Sequence, residues 1–216
     1  MYAISSNKKG FVLRFSDISY CQLYQKLNQQ PSVILSDLDN TLIFTDLANN
    51  LAYINAIASV FPDMAVHAHG RLTQDSICQN FAHLTEQQIQ KIVFTKQKLF
   101  SQYVHLTQPN TPLIALFKQL VEFDTQIILV THCHTQRAEL LLRHFKLETL
   151  FSQTLYIPKT NFKYPNAFLS IPQTERPIFI FDDDIVELQQ ASAQKTTLKN
   201  VFLVNNIEKI QCSTDL

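Results

Sequence analysis

The chain has 216 residues, of which 46% are hydrophobic, so it can bury the core of one domain or of one domain with an insertion. It carries 18 basic and 18 acidic residues, and its overall charge therefore gives no general attraction to nucleic acid or anionic membranes. No apolar run approaches the roughly 20 residues of a membrane span, and nothing near the N-terminus resembles a signal peptide. We expect a cytoplasmic protein that does not bind nucleic acid and has no membrane span.

Five short β-type runs follow one another along the chain, at 32–35, 126–130, 154–157, 177–181 and 201–204. Two of them, Ile127-Ile128-Leu129-Val130 and Ile178-Phe179-Ile180-Phe181, are continuously apolar, as strands buried on both faces of a parallel sheet are. Apolar residues at helical spacing separate the runs. The alternation predicts an α/β fold, with a Rossmann-like parallel sheet and flanking helices.

The segment 46–110 breaks this alternation because it contains helical patterns and no convincing strand. Asp46 is a candidate cap for a first helix that ends before Pro62, and Thr85 with Gln88 forms a capping box for a long later one. The predicted apolar face of the first helix is formed by Leu47, Leu51, Ile54, Ala58 and Phe61. We interpret 46–110 as an inserted all-α cap, and 1–45 with 111–216 as the core domain.

Two carboxylates follow the first apolar run directly, in Asp37-Leu38-Asp39-Asn40-Thr41. Ligands of doubly wound sheets gather at the carboxyl ends of the strands, which makes this a candidate site. The chain has only two glycines, Gly10 and Gly70, so a glycine-rich cradle for a nucleotide cofactor is excluded. Phosphate binding must therefore use other donors.

Other polar residues follow the later strands. Thr131 follows the second run, and its hydroxyl can hydrogen-bond a phosphate oxygen. Either Lys159 or Lys163 can neutralise phosphate and carboxylate charge at the same edge of the sheet.

The run 177–181 leads straight into Asp182-Asp183-Asp184. Adjacent carboxylates repel one another, and a hard cation with oxygen ligands, such as Mg²⁺, relieves that repulsion. The acidic cluster therefore indicates a metal site, although the sequence does not decide which of the three aspartates bind the ion.

The order of these motifs resembles that of the haloacid dehalogenase superfamily, over residues 32–185. The resemblance implies that Asp37 attacks phosphorus, that Asp39 protonates the leaving group and then activates water, and that Thr131 and Lys163 complete the catalytic set. It also implies that Mg²⁺ is held by the carboxylate of Asp37, the backbone carbonyl of Asp39 and the side chain of Asp182, with Asp183 nearby. An acidic residue at position 39 is typical of the phosphatases and phosphomutases of that superfamily.

The segment 46–110 lies where this superfamily places a mobile cap that closes over the substrate and selects it. The overall layout is also similar to that of phosphotyrosine-directed phosphatases that intracellular bacteria deliver into host cells. The resemblance therefore implies a phosphorylated substrate, with protein phosphotyrosine as first choice and a small metabolite phosphate as the alternative. If the protein is such an effector, we expect it to act inside a host cell.

Three other kinds of phosphate-handling protein fit the sequence less well. His132-Cys133 matches the start of a cysteine-dependent phosphatase loop, but Glu139 occupies the required arginine position, and Arg137 comes two residues too early. A receiver-like signalling module has its acidic pair first and its lysine last, which is the opposite order. A non-catalytic phospho-binding module remains an alternative, against which the retention of both Asp37 and Asp39 argues.

Overall fold

The computed structural model describes residues 12–15, 20–64, 66–171, 174–193 and 201–204. In chain order, the strands are β1 (Val12–Phe15), β2 (Val33–Ser36), β3 (Ile43–Phe44), β4 (Gln108–Pro109), β5 (Gln126–Thr131), β6 (Gln153–Tyr156), β7 (Ile178–Phe181) and β8 (Val201–Val204). The α-helices are α1 (Tyr20–Leu27), α2 (Asp46–Val60), α3 (Gln74–Asn80), α4 (Glu86–Tyr103), α5 (Thr111–Val121), α6 (Thr135–His144), α7 (Lys163–Ser170) and α8 (Ile185–Ala193).

Six of the strands form one parallel sheet in the order β1-β8-β7-β2-β5-β6. The predicted α/β fold is therefore confirmed, and β1 is an additional strand that the sequence did not predict. The chain leaves β2 toward β5 on one side and later adds β7 on the other. A crevice forms at the carboxyl ends of strands where the order reverses in this way, and β2 lies at that point.

The sheet is covered on both faces, because successive side chains of a strand point to opposite sides. One face, including Ile34, Leu129 and Phe179, packs with residues of α1, α5 and α6. The other face, including Leu35 and Ile180, packs with α7 and α8. Burial on both faces explains why β2, β5 and β7 are apolar along nearly their whole length.

Helices α2, α3 and α4 occupy the segment 46–110 and share a hydrophobic cluster of their own. The chain enters and leaves this segment through β3 and β4, which pair antiparallel with Ile43 opposite Pro109. A backbone bond of 2.9 Å from the N–H of Asn110 to the carbonyl of Leu42 continues that contact. That 46–110 behaves as a separate cap domain, and the remainder as the core domain, stays a prediction.

The predicted ends of the helices in this segment were partly correct. The capping box of Thr85 and Gln88 is present, whereas the cap position of α2 is Thr45 and Asp46 is the first helical residue. The predicted apolar face of α2 was only partly correct, since Ile54 and Phe61 pack against the cluster of the insertion whereas Leu47 and Ala58 are exposed. The buried residues are Ala48, Asn49, Ala52, Tyr53, Ala56 and Ile57. Within the described part of the chain, no helix has the length and apolarity needed to cross a membrane.

Candidate active site

Asp37 and Asp182 lie side by side because their strands are in register. Ser36 of β2 pairs with Phe181 of β7, so the next residue of each chain segment emerges at the same edge of the sheet. The N–H of Asp37 donates to the carbonyl of Phe181 at 2.9 Å, which extends the pairing beyond the strands. Both aspartates are buried, at 4% and 0% exposure.

Lys163 connects these two carboxylates. It is the first residue of α7, and its Nζ lies 2.8 Å from Asp37 Oδ1 and 2.7 Å from Asp182 Oδ2. Burial alone would lower the pKa of Lys163, but the two carboxylates raise it further than burial lowers it, so the net direction is upward. The lysine is therefore charged at neutral pH. Lys159, the other candidate, has an exposed side chain.

Asp37, Asp182 and Asp183 form a compact acidic group, with one carboxylate oxygen of each within 4.8 Å of the others. Burial raises the pKa of Asp37 and of Asp182, and Lys163 offsets only part of this. Partial desolvation and the negative charge of Asp182 raise the pKa of Asp183 to about 6. Three carboxylates beside one lysine leave excess negative charge, so these residues fit a divalent cation bound through oxygen.

Neighbouring side chains fix the orientation of the acidic group. The hydroxyl of Tyr164 donates to Asp182 Oδ2 at 2.6 Å. The hydroxyl of Thr41 donates to Asp183 Oδ1 at 3.2 Å and accepts from the N–H of Asp183 at 3.0 Å. Asp184 is not part of the acidic group. Its Oδ1 accepts a hydrogen bond of 2.8 Å from the N–H of Val186 and so caps α8.

Thr131 ends β5 beside this group and is 1% exposed. Its Oγ1 accepts a hydrogen bond of 3.0 Å from the N–H of Cys133. The hydroxyl proton makes no hydrogen bond to any other described residue, and it is available for an oxygen of a ligand at the strand ends.

Asp39 points away from the acidic group and toward cations. Its Oδ2 forms an ion pair with Arg137, and its Oδ1 accepts from the hydroxyl of Thr45 at 2.6 Å and lies 3.4 Å from Arg71. Burial would raise the pKa of Asp39, but Arg137 and Arg71 outweigh it and lower the pKa to about 2. Its carboxylate is therefore not among the oxygens clustered around Asp37, and metal binding through its backbone carbonyl stays a prediction.

Arg137 is held by Cys133 as well as by Asp39. Its Nε donates to the sulfur of Cys133 at 2.9 Å. Burial is the largest influence on this thiol and, with the charge of Asp39, raises its pKa to about 12. Cys133 is therefore a neutral thiol, which agrees with the rejection of a cysteine nucleophile.

Lys96 of α4 contributes a third positive charge near Asp39. It is 6% exposed, and its Nζ lies 4.8 Å from the ring centroid of Tyr53 and 5.5 Å from that of Phe100. Among the described residues, it has no hydrogen-bond or ion-pair partner. Burial, and next the positive charge of Arg137, lower the pKa of Lys96 to about 7.

Glu187 of α8 contacts both Lys163 and His132. Its Oε2 accepts from the N–H of Lys163 at 2.8 Å, and its Oε1 lies 2.9 Å from Nε2 of His132. Burial would raise the pKa of Glu187, but these hydrogen bonds lower it more. One side chain therefore joins the start of α7 to the segment that follows β5.

The structure brings together Asp37, Lys163, Asp182 and Asp183 and places Thr131 at the same edge of the sheet. The sequence did not identify the partners Arg71, Lys96, Arg137, Tyr164 and Glu187. For Arg137 a signal existed, since it lies in the first turn of α6, only six residues after the end of β5, and so starts near the carboxyl ends of the strands. Arg71 lies outside the regular elements and Lys96 on a helix of the insertion, so their positions depend on how the insertion packs.

No protein-family model and no curated protein matches the chain significantly. Solved structures do match it. A haloacid dehalogenase-like family hydrolase from Streptococcus pneumoniae has a TM-score of 0.64 at 14% identity, covering 83% of this chain and 96% of that one. A predicted phosphoglycolate phosphatase from Haemophilus somnus has a TM-score of 0.62 at 16% identity, covering 84% and 97%.

A third structure, CbbY from Rhodobacter sphaeroides in complex with phosphate, has a TM-score of 0.62 at 15% identity and covers 82% of this chain and 87% of that one. At these identities the likeness concerns the fold. The chain has the haloacid dehalogenase-like fold.

Proposed function

We propose that the protein is a Mg²⁺-dependent phosphatase that hydrolyses phosphomonoesters with Asp37 as the nucleophile. The observation that carries the proposal is the position of Lys163 between the carboxylates of Asp37 and Asp182, at the carboxyl end of the strands. Lysine occupies Asp37 Oδ1, while Asp37 Oδ2 accepts no hydrogen bond from any described residue. One oxygen is thus oriented and the other is available to react.

In the first step, Asp37 Oδ2 forms a bond to phosphorus while the bond from phosphorus to the ester oxygen breaks. The departing oxygen takes a proton from Asp39, which leaves an aspartyl-phosphate at Asp37. In the second step, water attacks this phosphorus, Asp39 accepts a proton from the water, and inorganic phosphate leaves. Lys163 and the hydroxyl of Thr131 position the phosphoryl oxygens throughout.

Asp37, Asp182 and Asp183 would hold the metal ion, with the backbone carbonyl of Asp39. When bound, Mg²⁺ supplies positive charge that offsets the carboxylates and the phosphoryl oxygens. The raised pKa values of Asp37 and Asp182 support this assignment, because a group of carboxylates with too few cations is stabilised by added positive charge.

Asp39 can donate a proton only if its surroundings change. A carboxylate with a pKa of about 2 is deprotonated at neutral pH. Weaker ion pairs with Arg71 and Arg137 would raise that pKa toward the value that an acid catalyst needs. We infer that substrate binding draws one or both arginines away from Asp39.

The segment 46–110 would act as the cap that excludes water and selects the substrate. Arg71 supports this role, because it lies in that segment and contacts Asp39 of the strand-end motif. Protein phosphotyrosine stays the first choice made from the sequence, and a small metabolite phosphate or a phosphomutase reaction the alternative. Cytoplasmic location and delivery into a host cell likewise stay predictions.

The deciding experiment is hydrolysis of para-nitrophenyl phosphate, with Mg²⁺ and with a chelator. We expect turnover with Mg²⁺, loss of turnover with the chelator, and no turnover by Asp37→Asn. Activity that survives either change would overturn the proposed mechanism. Binding of phosphate esters without hydrolysis would favour the non-catalytic module instead.

A panel of phosphotyrosine peptides, sugar phosphates and nucleotide monophosphates tests the substrate. If kcat/KM favours the metabolites by about tenfold, which corresponds to about 1.4 kcal/mol, the phosphotyrosine hypothesis is wrong. The same margin in favour of the peptides would exclude the metabolite alternative.

A further inference from the structure

Three cations surround Asp39 where the helical insertion meets the sheet. Arg71 and Lys96 come from the segment 46–110, and Arg137 comes from α6. We propose that Arg71, Lys96 and Arg137 form a subsite for a second anionic group of the substrate, a carboxylate or a second phosphate. This inference rests on the proposed function, since the first anionic group is the phosphate that Asp37 attacks.

Lys96 provides the main argument. It is 6% exposed, and within the described chain its charge faces two aromatic rings and no carboxylate in contact. A buried ammonium group is costly unless it is paired, and aromatic faces compensate it less than a carboxylate does. Its lowered pKa, about 7, reflects this cost. An anion from the substrate would provide the missing partner.

The two arginines have carboxylate partners, but these do not balance the cluster. Arg137 pairs with Asp39, and Arg71 pairs with Asp39 and with Asp46. Three cations therefore share two carboxylates, and the side chain of Asp46 is half exposed to solvent. In the proposed reaction Asp39 is protonated before it donates its proton, and a neutral carboxyl group no longer forms ion pairs with the arginines. A second anion on the substrate would restore the balance.

Of the three cations, Arg137 also lines a cavity. A cavity of about 420 Å³ lies between α4 and α6, and its lining includes Phe100 and Arg137. Phe100 is one of the two rings that face Lys96. The guanidinium of Arg137 lies 5.2 Å from the centroid of the same ring. The aromatic ring thus connects two of the three cations.

Matched substrates test the subsite. 3-Phosphoglycerate carries a carboxylate where glycerol 1-phosphate carries a hydroxymethyl group, and fructose 1,6-bisphosphate adds a second phosphate to fructose 1-phosphate. We expect kcat/KM of the wild type to favour the member with a second anionic group in at least one pair, tenfold or more. The pair with the larger preference identifies the group as carboxylate or phosphate.

Lys96→Met should lower this preference at least fivefold, whereas Lys91→Met should not change it. Lys91 lies on the same helix with an exposed side chain and is the matched control. Absence of a preference in the wild type, or an equal preference in Lys96→Met, would overturn the subsite. Para-nitrophenyl phosphate separates the two hypotheses: if it is hydrolysed and no preference exists, only the subsite is wrong.

Binding provides a test that does not depend on turnover. Phosphonoacetate carries a carboxylate beside its phosphonate, and 2-hydroxyethylphosphonate carries a hydroxyl in its place. In the carboxylate case, calorimetry with Mg²⁺ should show at least tenfold tighter binding of phosphonoacetate to the wild type and a smaller difference for Lys96→Met. Methylenebisphosphonate compared with methylphosphonate is the corresponding pair for phosphate. Equal affinities within both pairs in the wild type would contradict the proposal.

Discussion

Asp37 and Asp39 are two residues apart, yet their carboxylates bind different cations and have pKa values shifted in opposite directions. Asp37 contacts Lys163, and burial raises its pKa. Asp39 contacts Arg137 and Arg71, which lower its pKa to about 2 despite burial. The two positions of one short motif are therefore chemically distinct. The shifts are opposite to those that the proposed roles need, because a nucleophile must be ionised and an acid must be protonated, so bound metal and substrate would have to lower the pKa of Asp37 and raise that of Asp39.

Asp39→Asn should slow alkyl phosphates far more than para-nitrophenyl phosphate, because nitrophenolate leaves without much protonation. The variant should also accumulate phosphate on Asp37, since activation of water is lost in the second step. Rapid-quench labelling can detect this acid-stable, hydroxylamine-sensitive phosphate. Equal losses on both ester types, with no labelled protein in a single turnover, would exclude Asp39 as the proton carrier.

Lys163→Met should reduce kcat/KM roughly 100-fold or more and destabilise the fold by about 3 kcal/mol, because it leaves two buried carboxylates without their cation. Lys159→Met is the control, since that side chain is exposed and should be neutral within about twofold. Steady-state kinetics and denaturant titrations measure both effects. A larger loss for Lys159→Met would reassign the lysine.

Asp182→Asn should raise the Mg²⁺ concentration needed for half-maximal activity by about tenfold or more. Asp184→Asn should change it little, because Asp184 caps α8 and asparagine is an equally good cap. Metal titrations of the two variants, under the same conditions, measure the difference. Identical titration midpoints would remove Asp182 from the metal site.

Lys96→Met should change how stability depends on pH. Lys96 has a pKa of about 7 in the fold and about 10.5 when unfolded, so between these values the unfolded chain binds more protons. Because of Lys96, the free energy of unfolding of the wild type therefore increases as pH rises through this range, by up to about 1.4 kcal/mol per pH unit. The groups that set this pKa, besides burial, are Arg137, Asp39, Arg71 and Cys133.

We expect Lys96→Met to be more stable than the wild type at pH 6, with an advantage that shrinks toward pH 10. Urea titrations across this range measure the difference, with Lys91→Met as control. Parallel pH profiles for the wild type and Lys96→Met would mean that Lys96 carries no such shift.

Glu187→Gln should lower kcat about fivefold with little change in KM, because Glu187 positions the start of α7 and does not reach the substrate. Its lowered pKa adds a pH effect on stability. As pH falls, the Glu187 carboxylate is protonated in the unfolded chain before it is protonated in the fold. The contribution of this carboxylate to the free energy of unfolding should therefore be full at pH 7 and lost at acid pH, and the stability difference between wild type and variant should fall accordingly. An unchanged kcat would limit Glu187 to a purely structural role.

The sheet could be predicted largely because its central strands are buried on both faces and are continuously apolar. β1 was missed, since four residues beside a polar N-terminal stretch give little signal. The buried face of α2 was partly wrong for a different reason. Alanines at positions 48, 52 and 56 form half of its buried residues, and small residues carry less hydrophobic signal than Leu47, which is exposed.

The candidate site likewise contains residues that the sequence could predict and residues that it could not. Asp37 and Asp182 follow strands directly and Thr131 ends one, so their meeting at one edge of the sheet was predictable from the fold class. The approach of Arg71 and Lys96 to Asp39 depends on the packing of the insertion, which no local pattern encodes. The sequence could therefore indicate the chemistry of the strand ends but not the charges that surround it.

The state of Cys133 has a consequence for oxidative stress. Peroxide reacts with thiolates, and the thiol of Cys133 is buried and has a pKa of about 12. Phosphatases with a cysteine nucleophile lose activity under peroxide because their reactive sulfur is ionised. With the proposed carboxylate nucleophile beside a protonated, enclosed thiol, the protein would keep its activity at peroxide concentrations that inactivate those enzymes.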